Sequence, residues 1–181
     1  MAIGQIGILG GRFDPPHVGH LALARAACAQ LAIDTLHVTV VADAGHKAAE
    51  APVEDRLAMA RLTFAEPGAI VEREEHRFTV DALEAYGYED PIFLIGADQL
   101  SAFPTWKEPG RVLELARLGV AARPGYAPPV DDSDRIELFE LEPHDVSSSE
   151  IRARVRRGEP IDGLVVPAVS AYIAGHGLYG A

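Results

Sequence analysis

The sequence GGRFDPPHVGH, residues 10–20, decides the fold of this chain. It follows an apolar run, Ile3 to Leu9, that is typical of a buried strand, and it precedes Leu21 to Leu31, which predicts a helix. Glycines let backbone N–H groups approach an anion closely, and a helix start offers unpaired N–H groups. Two histidines three residues apart, His17 and His20, add donors on one helix face. The segment therefore predicts a phosphate site; the alternative is a tight turn whose histidines only cap or pack.

Strand and helix patterns alternate along the rest of the chain. We predict further strands at residues 36–41, 69–72, 91–95, 118–122 and 136–141, and further helices at 54–64, 79–86, 111–116, 148–157 and 167–174. Alternation of this kind predicts a single-domain, Rossmann-like α/β fold with an open, mainly parallel sheet and helices on both faces. Residues 1–181 are expected to form that domain, with about 142–181 as a small helical subregion. Ligands of such sheets bind beyond the carboxyl ends of the strands.

Composition limits the classes of partner. The chain has 181 residues and a net charge of −11, from 27 acidic residues against 16 lysines and arginines. Binding to nucleic acid or to an anionic membrane requires a basic surface, so neither is expected. The single cysteine, Cys28, cannot form an internal disulfide, and no cysteine cluster suggests a metal site. No leader or membrane-length apolar run stands out, so a cytoplasmic protein is expected; homo-oligomerisation is left open.

The opening motif resembles the GGxFDPxHxGH signature of the nucleotidyltransferase superfamily that carries the HxGH motif. A second segment, VSSSEIR at residues 146–152, resembles the ISSTxIR motif of that superfamily. Serines at a helix start offer hydroxyls and N–H groups to a triphosphate, and Arg152 lies one turn further on the same face. Alone, the serines would indicate an ordinary capped surface helix. Together, the motifs imply transfer of a nucleotidyl group from a nucleoside triphosphate to a phosphate-bearing acceptor.

Further segments resemble the bacterial nicotinate-nucleotide adenylyltransferases. The matching stretches are GADQL at 96–100, Trp106-Lys107, RPGY at 123–126, Thr79-Val80-Asp81, His46-Lys47, DRLAM at 55–59 and the C-terminal residues 166–179. The resemblance implies transfer of AMP from ATP to nicotinate mononucleotide, which gives deamido-NAD and pyrophosphate in NAD biosynthesis. It also implies Mg²⁺, held largely by the triphosphate because the chain shows no dedicated carboxylate cage.

The candidate site residues follow from these matches. His20, His17, Lys47 and Arg152 are the expected catalytic residues, and Lys47, Thr79 and Trp106 are expected to bind the acceptor. The expected ATP-binding residues are Gly10, Gly11, Phe13, His17, His20, Gly96, Asp98, Arg123, Ser148, Ser149 and Arg152. Three of these residues have a second interpretation. Asp98 binds a ribose or caps a helix, Trp106 stacks on a pyridine ring or anchors the core, and Thr79 contacts the pyridine carboxylate or caps its helix.

The chain departs from the family pattern in places that concern the acceptor. Arg12 replaces a small hydroxyl residue, Ala44-Gly45 replaces two prolines, Ser149 replaces threonine, and Ala82 replaces the threonine of DTL. The alternatives are therefore another acceptor, such as nicotinamide mononucleotide or phosphopantetheine, and a non-catalytic nucleotide-binding paralogue. Four further histidines, His37, His76, His144 and His176, belong to no motif and are expected to be surface or core residues.

Overall fold

The structure is a computed structural model and describes residues 4–42, 49–122 and 134–180. Lys47 and Arg123 lie outside the described residues, as do His46, Ala44-Gly45 and the rest of the RPGY match at 124–126. Within those ranges the strands are Ile6–Gly11 (β1), Thr35–Val41 (β2), Ala69–Glu74 (β3), Ile92–Gly96 (β4), Arg117–Ala122 (β5) and Ile136–Glu140 (β6). The α-helices are Val18–Gln30 (α1), Val53–Thr63 (α2), Thr79–Tyr86 (α3), Ala97–Ala102 (α4), Pro109–Leu115 (α5), Ser148–Arg156 (α6) and Pro167–His176 (α7).

The sheet has the order β3-β2-β1-β4-β5-β6, and every neighbouring pair of the described strands is parallel. The chain runs outward from β1 to β3 on one side and then returns to β4 on the other side of β1. The strand order therefore reverses between β1 and β4, and in open α/β sheets this is the place where ligands bind. The predicted Rossmann-like α/β fold is confirmed.

Alternate residues of the central strand face opposite layers of helices. Leu9 packs in a cluster with Leu21 of α1 and Leu57 of α2. Ile8, its neighbour, packs in a second cluster with Val80 of α3 and with residues of α5. Because side chains alternate along a strand, a short apolar run such as β1 supplies both cores at once.

A third cluster lies in the C-terminal part of the chain. It joins Ile151 of α6 and Val169 of α7 to Met59 of α2 and to Tyr179, which lies in a short 3₁₀ turn at Leu178–Gly180. Because α2 contributes Met59, this part packs onto the sheet domain, and it brings the SSSEIR segment to the motif of β1. No helix in the described ranges is long and apolar enough to cross a bilayer.

Two differences from the sequence expectations concern the starts of helices. The first helix begins at Val18 rather than Leu21, with His17 as its N-cap, so both histidines lie in its first turn. The sequence also gave no prediction of α4, which has only six residues and follows β4 without a loop. Both differences place the start of a helix closer to the end of a strand, where the residues proposed to bind phosphate lie.

Candidate active site

The two motif histidines form a stacked pair at the start of α1. Their ring centroids lie 3.7 Å apart, and the backbone N–H of His17 donates to Nδ1 of His20 over 3.1 Å. Since Nδ1 of His20 accepts this bond, the ring proton of the neutral form lies on Nε2. Burial lowers the pKa of His20 to about 3, with a contribution from His17, and lowers that of His17 to about 4, with a contribution from His144. Both rings are therefore neutral near pH 7 without ligand.

The buried residues around the pair fix its geometry. Phe13, 2% exposed, packs edge-to-face against His20 with centroids 5.0 Å apart. A Cβ on Gly11 would lie 2.8 Å from the Phe13 ring, and a Cβ on Gly19 would lie 3.1 Å from Nδ1 of His17. These two glycines therefore make room for the rings beside them, and Phe13 supports His20 from the core. Gly10 is less crowded, because a Cβ placed there would meet its nearest atom, Oγ1 of Thr39, at 3.4 Å.

A cleft of about 340 Å³ opens beside the histidines. It is lined by His17, Gly19, His20, Leu23, Gly96, Ala97, Asp98, Ala121, Ala122, Leu141, Glu142, Pro143, His144 and Val146. Gly96 and Ala122 are at the carboxyl ends of β4 and β5, so the cleft lies at the predicted edge of the sheet. Nδ1 of His17 is buried and has no hydrogen-bond partner among the described residues. An unpaired buried donor or acceptor costs free energy, so this atom favours a polar ligand in the cleft.

Asp98 and Gly96 lie where the cleft meets α4. Gly96 is the N-cap of this helix, and its backbone N–H donates to the side chain of Gln99 over 3.1 Å. The interpretation of Asp98 as the helix cap is therefore wrong. Its exposed carboxylate lies on the cleft wall, where it can accept hydrogen bonds from a ligand.

The SSSEIR segment reaches the motif through two hydrogen bonds. Ser148 donates to the carbonyl of Pro15 over 2.8 Å, and Nη1 of Arg152 donates to the carbonyl of Asp14 over 2.8 Å. Because these residues are one helical turn apart, they contact consecutive carbonyls of the loop that follows β1. Ser149 is exposed and contacts the hydroxyl of Ser147, the N-cap of α6, over 3.2 Å.

Arg152 also forms an ion pair with Glu50, 2.7 Å from Nε. Glu50 contacts Arg156 of the same helix as well. Desolvation of Glu50 opposes its ionisation, but hydrogen bonds from Arg156 and Arg152 outweigh this and lower its pKa. In the free protein, therefore, one face of the Arg152 guanidinium is occupied by a carboxylate and by a main-chain carbonyl.

A second cavity, of about 360 Å³, lies between the start of α3 and the end of the turn after α4. It is lined by Arg77, Phe78, Thr79, Thr105, Trp106 and Lys107. The structure thus brings Thr79 and Trp106 together, although they are 27 positions apart in the sequence. Lys107 donates to Asp81 of α3 over 2.7 Å and lies 5.1 Å from the Phe78 ring centroid, so it links the two walls.

The alternative interpretations of the two acceptor candidates have different outcomes. Phe78 is the N-cap of α3 and Thr79 is its first residue, so the expectation that Thr79 caps the helix is wrong. Trp106 packs edge-to-face on Phe103 and Phe93, with centroids 5.3 and 6.1 Å away, and is only partly buried. It therefore anchors the core with one part of the indole and lines the cavity with another.

Two buried charged residues hold the loop after β1, and the motif analysis assigned neither a role. Arg56 of α2 is 2% exposed and donates to the carbonyls of Ala51, Arg12, Val41 and Ala42 over 2.8–3.1 Å. Asp14 is 3% exposed and accepts from the backbone N–H groups of Glu50 and Ala51 and from the hydroxyl of Tyr179. The sequence signal was present, as an arginine and an aspartate inside matched motifs, but their burial could not be inferred from it.

Comparisons with known proteins identify the family of this chain. The family model described as cytidylyltransferase-like matches residues 8–154. A protein of Roseiflexus sp. named as a probable nicotinate-nucleotide adenylyltransferase is 38% identical, over 99% of this chain and 100% of its own length. A Thermus thermophilus protein with the same name is 38% identical, over 97% of this chain and 99% of its own.

Among solved structures, the Plasmodium falciparum nicotinic acid mononucleotide adenylyltransferase in complex with NaAD has the same fold. It superposes with a TM-score of 0.77 at 19% identity, covering 98% of both chains. The family model and the two full-length sequence relatives lead to one assignment. The chain belongs to the cytidylyltransferase-like family and, within it, to the nicotinate-nucleotide adenylyltransferases.

Proposed function

We propose that this protein transfers AMP from ATP to nicotinate mononucleotide and releases pyrophosphate, with deamido-NAD as the other product. The observation that carries the proposal is the pair of cavities at the carboxyl-end edge of the sheet. One is beside the stacked histidines, and the other is between Thr79 and Trp106. Two nucleotides are needed for this reaction, and each cavity has the chemistry of one of them.

The histidine cleft suits the triphosphate. In the proposed reaction a phosphate oxygen of the acceptor attacks the α-phosphorus of ATP, and the bond from that phosphorus to the bridging oxygen of the β-phosphate breaks. The leaving pyrophosphate carries the negative charge, so hydrogen-bond donors aimed at its oxygens accelerate the step. We assign this role to His17 and His20, with His20 donating through Nε2. The added negative charge favours the protonated rings, so binding is expected to raise both pKa values.

Arg152 is proposed to bind phosphate from the opposite side. Its guanidinium is charged at every physiological pH and can form two parallel bonds to phosphate oxygens. To bind phosphate, Arg152 breaks its ion pair with Glu50. The hydrogen bond to the Asp14 carbonyl meanwhile holds the guanidinium beside the motif. Lys47, Arg123, Ser149 and the glycines of the motif remain proposed contacts on the strength of the family resemblance.

Magnesium fits the donor chemistry of the cleft. The carboxylates of Asp98 and Glu142 line it, and carboxylate oxygens suit Mg²⁺. The described part of the chain holds no cluster of three or more ligating side chains, so the ion would take most of its ligands from the triphosphate and from water. When bound, it would neutralise charge on the phosphates. A cytoplasmic location stays a prediction of the sequence, and homo-oligomerisation stays open.

The second cavity suits a pyridinium ring that carries a carboxylate. The indole of Trp106 offers a flat apolar surface, and the hydroxyl of Thr79 offers a donor. Two cationic residues line the cavity, Arg77 and Lys107, and Lys107 is paired with Asp81. The positive charge of Arg77 therefore favours a ring carboxylate over an amide. This charge supports nicotinate mononucleotide over nicotinamide mononucleotide as the acceptor.

Pyrophosphate release measured with ATP and each of three acceptors tests the proposal. Nicotinate mononucleotide is expected to exceed nicotinamide mononucleotide by about tenfold or more in kcat/KM, because about 1.4 kcal/mol of charge discrimination gives that factor. Phosphopantetheine should give only background release. His20→Ala is expected to lower kcat by about 100-fold or more. His176→Ala, at an exposed histidine of α7, is the matched control. Absence of turnover with nicotinate mononucleotide would reject the proposal.

A further inference from the structure

Glu74, the last residue of β3, is a buried carboxylate that lines neither the histidine cleft nor the acceptor cavity. It is 6% exposed, which is unusual for a glutamate unless it is paired. One oxygen accepts from both the backbone N–H and Nδ1 of His76, over 2.6 and 2.7 Å. The other oxygen accepts from the hydroxyl of Tyr86. Both oxygens are therefore engaged inside the protein, and Glu74 acts through other residues rather than on a ligand.

These bonds join the two ends of the element that forms one wall of the acceptor cavity. His76 lies in the turn that leads into α3, and Tyr86 is the last residue of α3. The turn continues directly into Arg77, Phe78 and Thr79, which line the cavity opposite Trp106. The position of Thr79 relative to Trp106 thus depends on how the turn is held.

The turn contacts Lys107, which lies 5.1 Å from the Phe78 ring centroid, but another side of the turn borders open space. A half-open pocket of about 60 Å³ lies there, lined by residues that include Gly10, Glu74, His76, Phe78 and Thr79. Space of this size leaves room for the turn to shift when its hydrogen bonds are lost, because no packed side chain fills the gap. The carboxylate bonds therefore contribute more to the position of this turn than they would in a filled core.

The backbone of Glu74 is also at the start of a second functional segment. Its carbonyl accepts the N–H of Ala42 over 2.8 Å. Ala42 is the last described residue before the segment that carries Lys47, and Arg56 donates to its carbonyl. Glu74 thus lies at the place where both acceptor-binding segments leave the sheet.

We propose that Glu74 is a positioning residue for the acceptor: through His76 and Tyr86 it fixes the turn before Thr79 against Trp106. It sets the affinity for the acceptor and leaves ATP binding unchanged, because the histidine cleft is lined by other residues. This inference rests on the proposed function of the second cavity. A carboxylate that served only to stabilise the fold would affect both substrates alike.

Glu74→Gln is the direct test, since it keeps the shape of the side chain but removes its charge and replaces one acceptor oxygen with an N–H₂ group. Trp106 is the only tryptophan of the chain, so its fluorescence reports on this cavity alone. Titration with nicotinate mononucleotide is expected to show about tenfold weaker binding, which corresponds to about 1.4 kcal/mol. The KM for nicotinate mononucleotide should rise by the same factor, while the KM for ATP stays within about twofold of wild type.

Glu72→Gln is the matched control. Glu72 lies two residues earlier on β3, on the same face, and its carboxylate contacts His37 over 2.8 Å instead of the turn. This variant is expected to bind both substrates as the wild type does. Equal losses in the two glutamine variants would overturn the proposal, because they would show a general effect of charge on this strand.

Tyr86→Phe keeps the test decisive if Glu74→Gln does not fold. It removes one hydroxyl and is expected to weaken acceptor binding about threefold without a change for ATP. Unchanged acceptor affinity in a folded variant, or equal changes for both substrates, would overturn the inference. Wild-type turnover separates this result from the proposed function: a wild type inactive with nicotinate mononucleotide rejects the function, whereas an active wild type with unaffected variants rejects only the role of Glu74.

Discussion

Replacement of Arg56 by methionine should destabilise the fold strongly, although the residue belongs to no catalytic list. The guanidinium donates four hydrogen bonds to main-chain carbonyls that come from three separate segments. Methionine retains most of the apolar stem and leaves all four carbonyls without this donor. Burial lowers the pKa of Arg56, with Asp14 opposing the effect, yet a guanidinium stays charged in proteins.

The expected loss follows from the number of bonds. A net value of about 1 kcal/mol for each hydrogen bond gives roughly 4 kcal/mol for the four. This agrees with the about 3–5 kcal/mol seen when one partner of a buried charged network is removed. In a domain of this size each kcal/mol lowers the Tm by about 2–4 °C, so a decrease of about 8–16 °C is expected.

Urea unfolding followed by circular dichroism measures the free energy of unfolding through the midpoint and the slope m. Arg61→Met is the control, because Arg61 lies on the same helix with its side chain exposed, and a change within about 0.5 kcal/mol is expected there. A loss of less than about 1 kcal/mol in Arg56→Met, with an unchanged m, would refute the view that Arg56 joins the three segments.

Three further outcomes follow from the site. Gly19→Ala places a Cβ about 3.1 Å from the His17 ring and should lower kcat about tenfold with little change in stability, which steady-state kinetics and a melting curve would separate. The folded state holds His17 and His20 at depressed pKa values, so the unfolded state binds more protons between about pH 4 and 6.5. Stability should fall as the pH decreases through that window, by up to about 1.4 kcal/mol per pH unit for each ring, and His17→Asn should reduce the slope. Arg152→Lys keeps a charge but loses the planar fork that forms two parallel bonds to a phosphate while one nitrogen stays on the Asp14 carbonyl. The kcat/KM for ATP should therefore drop about tenfold or more, and wild-type values would contradict the role given to Arg152.

The sequence was sufficient for the fold because its patterns are long and redundant. Apolar runs of four to seven residues between helical segments leave few alternatives to a parallel sheet. The motif after β1 predicted the edge of the sheet at which a ligand would bind, and the histidine cleft lies at that edge. The sequence also predicted that Thr79 and Trp106 lie close together, because both were expected to bind the acceptor. In the structure both residues line one cavity.

The positioning residues could not be predicted in the same way. Arg56 and Glu74 occupy positions whose residue types are usually exposed, and only the tertiary structure shows that each is buried with its polar atoms satisfied. The role of Gly19 was likewise hidden, because a glycine within a helix start gives no sign of the ring that packs over it. The helix α4 was missed because six residues are too short to display a period.

A crystal structure with deamido-NAD and pyrophosphate bound tests the central claim most directly. We expect the pyrophosphate to lie against Nε2 of His20 and the ring of His17, and the pyridine ring to lie between Thr79 and the indole of Trp106. A dinucleotide with its pyridine in the histidine cleft, or a pyrophosphate with no contact to either histidine, would contradict the proposed function.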